Sequence, residues 1–389
     1  MNLFRMNQLK TPIFGLLLAT PCVVWALPDD TVRLQLEYDL AHDSNYYRLA
    51  NASQAQALLG SNNLAVTTQA LNFGVDVDLK FSRQIVLLRT NVNQTRFDRP
   101  QLQSQNGYTF NADWQWVVGN QWNGSLGFLK SRQLQTQTDA LTAQASVLDR
   151  NDLNFSAIYL LNPSFSLNTG ARTSSQTYSP SSRAILNLEE NTLDLGFRFI
   201  SRAGNQIGLQ LQQIDGRYVN RAAPLDRYRQ SDISLQSDWR LGGHTLIHAQ
   251  VGKTRREDKL STQSSPSWRF AVDWTPTGAT ALGAYASQQI TSSDSLTTAT
   301  SSVSNTQGLN ANWQVSAKTV LNAALTAEAL DYSGIARSDK TQTATLGLRY
   351  QPISAISIGL SYQIGNRDSN VDSANYRYRL VTANIRGSF

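Results

Sequence analysis

The sequence predicts an all-β protein, a transmembrane antiparallel up-and-down β-barrel of about 18 strands, with 16 strands as the alternative. Three observations support this prediction. Stretches of alternating apolar and polar residues recur along the chain, tight turns follow one another at regular intervals, and only 16% of the residues are charged, where a soluble domain averages roughly 25%. Short turns alternate with longer loops, as in bacterial outer-membrane barrels. A soluble β-sandwich, the competing class, has no reason to shorten every second connection.

The N-terminal segment, residues 1–26, has the organisation of a secretory signal peptide. Arg5 and Lys10 precede an apolar run over residues 13–25, and Ala26 stands where a signal peptidase cuts. A membrane-spanning helix needs about 20 apolar residues, whereas this run is shorter and contains Pro21. We therefore predict cleavage after Ala26.

The predicted mature chain, residues 27–389, forms a single barrel domain in this interpretation. Cleavage after Ala26 removes the one cysteine and both methionines, which excludes disulfides and cysteine-based metal sites. The full chain has 34 basic and 28 acidic residues, and so mild an excess, without a basic block, argues against a nucleic-acid partner. We expect no cofactor and no metal.

The strands are predicted from their period-two patterns. In the stretch L-N-F-G-V-D-V-D-L-K-F, from Leu71 to Phe81, apolar and polar residues alternate without a break, and T-L-D-L-G-F-R-F from Thr192 repeats the pattern. The predicted strands are 31–41, 64–80, 84–97, 107–118, 121–134, 151–161, 165–176, 190–202, 206–219, 228–240, 244–256, 266–274, 280–292, 304–315, 319–332, 339–350, 354–367 and 375–389.

Eight tight turns are predicted at one end of the barrel, near residues 82, 119, 163, 204, 243, 276, 317 and 352. The other end carries looser connections, such as N-A-S-Q-A-Q-A-L-L-G-S-N-N from Asn51. All of these outer loops are short, which leaves little chain for an inward-folded loop that would narrow the lumen. This favours a conduit for a polymer, or else a lumen that is gated by a partner.

Aromatic residues repeatedly precede the short turns, four times as a tryptophan beside an Asp or Asn. At this depth an indole buries its rings among lipid tails and keeps its N–H near the headgroups. We predict a periplasmic aromatic girdle made of Trp114, Trp239, Trp274, Trp313, Phe199 and Tyr350.

Strand parity predicts which charged residues face the interior. The candidates for lining the lumen are Asp76, Asp78, Asp194, Arg198, Arg269, Asp273, Glu328, Arg349 and Arg386. At about 18 strands the interior is wide enough for a water-filled channel. A wall of both signs with many amides suits a neutral or mixed saccharide better than a strongly anionic polymer. In the alternative interpretation, these charges only pair with one another and hold the barrel's shape.

A second cluster combines basic and aromatic residues near the predicted outer rim. It comprises the stretch R-Y-V-N-R-A-A-P-L-D-R-Y-R, residues 217–229, with Arg255 and Arg256 on the next hairpin. Such a cluster fits two roles equally, contact with lipopolysaccharide phosphates or the mouth of the substrate path.

An enzymatic role is not predicted. The three histidines are His42, His244 and His248, and the last two would lie about 13 Å apart on a strand, too far to share a metal. No spacing marks a nucleophile with its base. We assign no catalytic residue.

The C-terminal strand carries a feature of its own. It ends V-T-A-N-I-R-G-S-F, with Val381, Ile385 and the terminal Phe389 on one face. This resembles the signal by which the barrel-assembly machinery recognises outer-membrane proteins. The resemblance implies that this machinery is a partner and that the protein resides in the outer membrane, in contact with its lipid and lipopolysaccharide.

The mature chain as a whole resembles the EpsL-type outer-membrane barrel of exopolysaccharide biosynthesis operons, grouped with the β-barrel porin families. The resemblance rests on the opening L-P-D-D-T-V-R-L-Q-L-E-Y-D-L-A-H-D-S-N-Y-Y-R-L, the repeated D-W strand ends and the close R-Y-R-L-V-T-A-N-I-R-G-S-F. It implies export of a polysaccharide, as the saccharide substrate, together with periplasmic polymerisation or export proteins. The alternatives are a general diffusion porin and a structural barrel that scaffolds an envelope secretion complex.

Overall fold

The computed structural model describes residues 31–99, 101–135, 144–293 and 297–389. The predicted signal peptide lies outside the described residues. The chain forms one antiparallel sheet of 18 strands, which confirms the larger of the two predicted strand numbers. The strands are β1 (Val32–Asp43), β2 (Val66–Phe81), β3 (Gln84–Phe97), β4 (Gln105–Val118), β5 (Trp122–Gln135), β6 (Ser146–Asn162), β7 (Phe165–Ser179), β8 (Leu188–Ile200), β9 (Gln206–Tyr218), β10 (Arg227–Leu241), β11 (Thr245–Asp258), β12 (Thr262–Thr277), β13 (Thr280–Ser292), β14 (Ser301–Ser316), β15 (Thr319–Tyr332), β16 (Ser338–Ile353), β17 (Ile356–Ser369) and β18 (Tyr376–Ser388).

The sheet closes on itself because β1 pairs with both β2 and β18. Tyr38 of β1 lies between Leu71 of β2 and Ile385 of β18. The terminal Phe389 completes the seam: its N–H donates to the carbonyl of Leu34, and its carbonyl accepts from the Leu34 N–H, both at 2.8 Å. Closure removes the two strand edges that would otherwise pair with another chain.

The two faces of the barrel wall differ in polarity. On β8, Leu193 and Leu195 point outward and are 63% and 55% exposed, while the alternate Asp194 and Arg198 point inward. The same contrast runs around the barrel, because each strand keeps its outward residues in register with those of its neighbours. An exposed apolar belt around a polar interior is the organisation of a barrel that stands in lipid.

The predicted strands match the observed ones, apart from a few residues at their ends. β6 begins at Ser146 rather than at residue 151, and β12 spans Thr262–Thr277 rather than 266–274. The extension of β6 is covered by neighbouring residues, since Ser146 and Val147 are buried. The alternation of apolar and polar residues disappears there, so no local pattern indicates that the strand continues.

The longest connection, residues 44–65 between β1 and β2, contains a helix, α1 (Ala52–Leu59). A longer connection was expected here, but the helix within it was not predicted. The signals for a helix were present: the Asn51 side chain accepts a hydrogen bond from the Gln54 N–H, and Gly60 ends the helix in the left-handed conformation. None of the described helices combines the length and apolarity that membrane crossing by a helix requires.

Candidate functional site

The interior wall carries a ladder of alternating charges at the seam of the barrel. Asp76 and Asp78 of β2 lie between Arg33 of β1 and Arg89 of β3. Arg33 Nη2 is 3.1 Å from Asp78 Oδ2, and Arg89 Nε is 3.6 Å from Asp76 Oδ1. These two predicted lining residues face inward, and their charges are compensated by the neighbouring strands. This is the shape-holding role, the alternative interpretation of the interior charges.

Three further predicted lining residues have polar partners in the wall. Arg386 of β18 binds Glu37 of β1, with Nε 2.9 Å from Oε2. Asp194 accepts a hydrogen bond of 2.6 Å from the Gln212 amide. Glu328 accepts one of 2.9 Å from the Ser304 hydroxyl. Only the first of these contacts is an ion pair, and the described partners of Asp194 and Glu328 are neutral groups.

Three predicted lining arginines, Arg198, Arg269 and Arg349, form no ion pair with any residue that the structure describes. The Arg269 guanidinium lies 5.9 Å from the centre of the Tyr285 ring. Arg349 borders an interior niche of about 280 Å³ that it shares with Arg386. The guanidiniums of these three arginines remain available to a solute, and contact with a solute stays a prediction for all nine lining residues.

A second interior niche, of about 540 Å³, is bordered by the ninth predicted lining residue, Asp273, and by a histidine that received no role from the sequence. His248 Nδ1 is 2.7 Å from Asp238 Oδ1, and its Nε2 is 3.6 Å from Asp273 Oδ2. Sequence reasoning missed this triad because its members lie on three neighbouring strands. Within the described ranges, no group of three or more His, Cys, Asp or Glu side chains is arranged to hold a metal ion.

All six predicted girdle aromatics lie near the end with the short turns, and their side chains are 37% to 49% exposed on the outer surface. Trp114 Nε1 donates a hydrogen bond of 3.0 Å to Gln84 Oε1, so its polar edge is satisfied. Sequence reasoning missed one pair at the same end, Trp122 with Tyr159, whose ring centres are 4.6 Å apart. A membrane-anchoring role for these residues stays a prediction.

The outer mouth is partly covered by residues 44–65, which fold inward. Tyr46, Tyr47 and Leu49 are buried in an apolar cluster with the inward-facing Val66 of β2, and Phe97 of β3 packs against it. Burial raises the pKa of the Tyr46 hydroxyl. The expectation that the outer loops leave too little chain to narrow the lumen was therefore wrong.

A cation–π contact fastens this loop to the far side of the seam. The Arg48 guanidinium lies 3.6 Å from the centre of the ring of Tyr378, an inward-facing residue of β18, and Arg48 Nη2 is 2.8 Å from Asp43 Oδ2. The Asn45 amide also donates to the carbonyl of Arg377, at 3.0 Å. The loop is thus held by several polar contacts to β18 as well as by its apolar cluster.

A second segment, residues 298–300 before β14, crosses the interior towards β9–β11. The Tyr218 hydroxyl of β9 donates to the carbonyl of Thr300 at 2.7 Å, and Arg256 Nη2 of β11 donates to the same carbonyl at 3.0 Å. Arg221 Nη1 donates to the carbonyls of Thr298 and Ala299 at 3.1 and 3.0 Å. Because β9 and β14 lie on separate parts of the wall, these bonds bring the segment over the lumen.

The structure divides the predicted basic and aromatic cluster into two surfaces. Four of its arginines are exposed on the outer side of the rim, namely Arg217, Arg227, Arg229 and Arg255. Tyr218, Arg221, Tyr228 and Arg256 are buried at the mouth of the lumen. Residues of this stretch therefore contribute to both surfaces, the outer side of the rim and the mouth of the lumen. On the strands this follows because successive residues point to opposite faces.

Comparisons with known proteins agree with this architecture. Residues 249–389 match the family model described as "Putative beta-barrel porin 2". Two solved structures match at TM-score 0.50: a BenF-like porin from Pseudomonas fluorescens Pf-5, at 10% identity over 93% of this chain and 100% of that chain, and OpdQ from Pseudomonas aeruginosa, at 9% identity over 93% and 99%. No curated protein sequence matches the chain.

The chain is a porin-like β-barrel. The family model covers its C-terminal part, and the two solved structures support the fold over nearly its whole length. The prediction that the chain is not an enzyme agrees with the matched family model, which is named for a porin.

Proposed function

We propose that this protein is an outer-membrane diffusion channel for small polar solutes. One observation carries the proposal: an 18-stranded barrel, wide enough in principle for a water-filled lumen, is narrowed at its outer mouth by residues 44–65 and 298–300. A polar wall with a narrowed mouth admits small solutes and excludes large ones.

The interior below the mouth fits passive diffusion. A cavity of about 1080 Å³ runs along β12–β18, and its interior lining includes the polar side chains of Tyr285, Thr326 and Thr343. Charges of both signs stand on the wall, and three arginines among them are uncompensated by the described residues. Because unpaired carboxylates stand on the same wall, we expect a channel that passes small neutral solutes and small ions of either sign.

Export of an exopolysaccharide is the second candidate function. The resemblance of the strand patterns and chain ends to EpsL-type barrels favours it, and it would bring periplasmic export or polymerisation proteins as partners. The narrowed mouth weighs against it, because a polymer would have to displace both inward-folded segments.

The setting of the channel is part of the proposal. We infer that residues 1–26 are removed as a signal peptide, and that the barrel-assembly machinery recognises the strand ending in Val381, Ile385 and Phe389. The exposed arginines of the outer rim would face lipopolysaccharide phosphates.

Swelling of liposomes that contain the refolded barrel tests the function. We expect swelling in pentoses and hexoses that falls steeply for tri- and tetrasaccharides. If long oligosaccharides enter as fast as hexoses, the conduit is favoured instead, and the absence of any swelling would contradict both candidates in favour of a structural barrel.

A further inference from the structure

The outer mouth contains two buried arginines whose charges have no acidic partner within salt-bridge distance in the described part of the chain. Arg256 of β11 is 3% exposed and Arg221, in the connection between β9 and β10, is 8% exposed. Their hydrogen-bond acceptors are the carbonyls of residues 298–300, the carbonyl of Ile185 and the hydroxyl of Ser292. All of these acceptors are neutral.

Two carboxylates lie nearby, and both are engaged elsewhere. Asp258 Oδ2 accepts a hydrogen bond of 3.4 Å from the Thr300 hydroxyl. Glu190 Oε1 accepts hydrogen bonds from the Tyr228 hydroxyl and from the Ser292 hydroxyl, the latter at 3.3 Å. It forms no ion pair with Arg221 or Arg256. A buried charge is costly unless an opposite charge compensates it, and neither guanidinium is compensated by direct contact with a described carboxylate.

The bonding capacity of both guanidiniums is incomplete. Arg221 Nη2 and Arg256 Nε are buried and have no hydrogen-bond partner among the residues that the structure describes. Burial lowers the pKa of Arg221, and the charge of Arg256 acts in the same direction. Buried donors without a partner are rare in folded proteins, and a binding site for an ion is one setting in which they occur.

Stacking fixes the positions of the two arginines. The Arg256 guanidinium lies 3.4 Å from the centre of the Tyr228 ring, and the Arg221 guanidinium lies 4.3 Å from that of Tyr218. The Tyr228 ring in turn lies over Gly216, where a Cβ would come within 2.1 Å of the ring. Glycine is needed here for this close approach, and the stack gives a rigid, preorganised pair of cations.

We propose that Arg221 and Arg256 form a binding site for a small oxyanion, the carboxylate, sulfate or phosphate group of a solute, whose oxygens exchange with the carbonyl oxygens of residues 298–300. A carbonyl oxygen accepts a guanidinium's hydrogen bond without a net charge. An oxyanion accepts the same bond and neutralises the charge as well, which makes the contact stronger. The inference rests on the proposed function, since it places the site on the solute's path.

The site is tested by calorimetric titration of the refolded full-length barrel in detergent, with sodium sulfate, galacturonate and glucose as separate titrants. We expect one or both anions to bind and glucose not to bind. Comparison of the two anions shows whether a compact inorganic ion or a sugar carboxylate is preferred. Binding in detergent needs no conduction, so failure of the site is distinguishable from failure of the channel.

Two variants assign the site. Arg256→Gln should weaken anion binding by roughly tenfold or more, because it removes a buried charge from the pair. Arg255→Gln is the matched control, since Arg255 is the adjacent residue on β11 but faces outward and is 62% exposed. It should bind as the unchanged protein does. Circular dichroism of each variant shows whether the barrel has folded.

Four results would overturn the inference. The first three are no binding of either anion to the unchanged protein, equal binding of glucose, and equal loss of binding in the Arg255→Gln and Arg256→Gln variants. The first of these results is measured on the unchanged protein, so the inference can be refuted even if the Arg256→Gln protein does not fold. Anion binding that survives Arg256→Gln in a folded barrel would also contradict it.

Discussion

The interior arginines fall into two groups according to their partners. Arg33, Arg89 and Arg386 are neutralised by carboxylates on adjacent strands. Arg198, Arg269 and Arg349 carry no ion pair with a described residue, so their charges act on the solution in the lumen. Parity alone could predict which arginines face inward, but it could not predict their partners, because those depend on the register between strands.

The free charge of Arg349 should set part of the channel's ion preference. Replacing it by Arg349→Glu reverses the sign of one unpaired charge in the wall, and we expect the channel to shift towards cations. The zero-current potential across a planar bilayer under a potassium chloride gradient measures this shift. Arg255→Glu, on the outer surface, should leave the potential unchanged, and an equal shift in both variants would contradict the assignment of Arg349 to the lumen.

Adjacent residues of one strand test which face meets lipid. Leu346 of β16 is 58% exposed on the outer side, whereas Thr345 points into the lumen. Leu346→Arg should destabilise the barrel by about 2–4 kcal/mol near the bilayer midplane, because a charge must enter lipid. Thr345→Arg should lower the free energy of unfolding much less, because its charge enters the lumen and not the lipid. Unfolding by urea in lipid vesicles measures both, and equal losses would mean that both faces are wet.

At the scale of elements, a recurrent interior device joins neighbouring strands. A glycine on one strand lies directly opposite an asparagine or tyrosine on the next, and the larger side chain covers the glycine. The pairs with asparagine are Gly107 with Asn93, Gly127 with Asn154, Gly196 with Asn168, Gly283 with Asn310, Gly347 with Asn322 and Gly359 with Asn384. Because glycine has no Cβ, the asparagine or tyrosine side chain of the neighbouring strand can lie directly over the glycine backbone.

One such pair gives a stability prediction. A Cβ at Gly347 would lie 2.5 Å from Asn322 Oδ1, so Gly347→Ala should displace the amide and cost about 1–3 kcal/mol, as overpacking does. Gly278→Ala is the control, because a Cβ there meets nothing within 4 Å and its backbone conformation is an ordinary one. Thermal unfolding of the two variants in detergent compares them, and equal stability would refute the packing argument.

The strands were predictable from sequence to a far greater degree than their connections. A strand within lipid must alternate, so β2 and β8 are visible in the sequence, as are the turns that follow them. Segments 44–65 and 298–300 were missed because they are polar or mixed and are placed by contacts with distant residues. The Arg48–Tyr378 contact joins two ends of the chain, and no local pattern records it.

The inward fold of residues 44–65 gives a prediction about the width of the mouth. Replacement of residues 51–60, which contain α1, by a short Gly-Ser linker should remove part of the cover while leaving the β1–β18 seam intact. We expect a larger single-channel conductance in a planar bilayer. Unchanged conductance, in a variant whose circular dichroism shows an intact barrel, would mean that this segment does not restrict the lumen.

At the scale of the whole molecule, the barrel combines a wide closed wall with a mouth narrowed by its own loops. The strand number sets the upper limit of the lumen's width, and the apolar cluster around Tyr46 together with the bonds to residues 298–300 holds chain across the outer mouth. Neither feature alone distinguishes a diffusion channel from a conduit. Their combination favours small solutes.

The rate of liposome swelling as a function of sugar size tests the central claim most directly. The unchanged barrel should admit pentoses and hexoses and exclude tetrasaccharides, while the variant without α1 should admit larger sugars. Equal entry of all sizes into liposomes containing the unchanged barrel, or no entry of any sugar, would contradict the account of a narrowed diffusion channel.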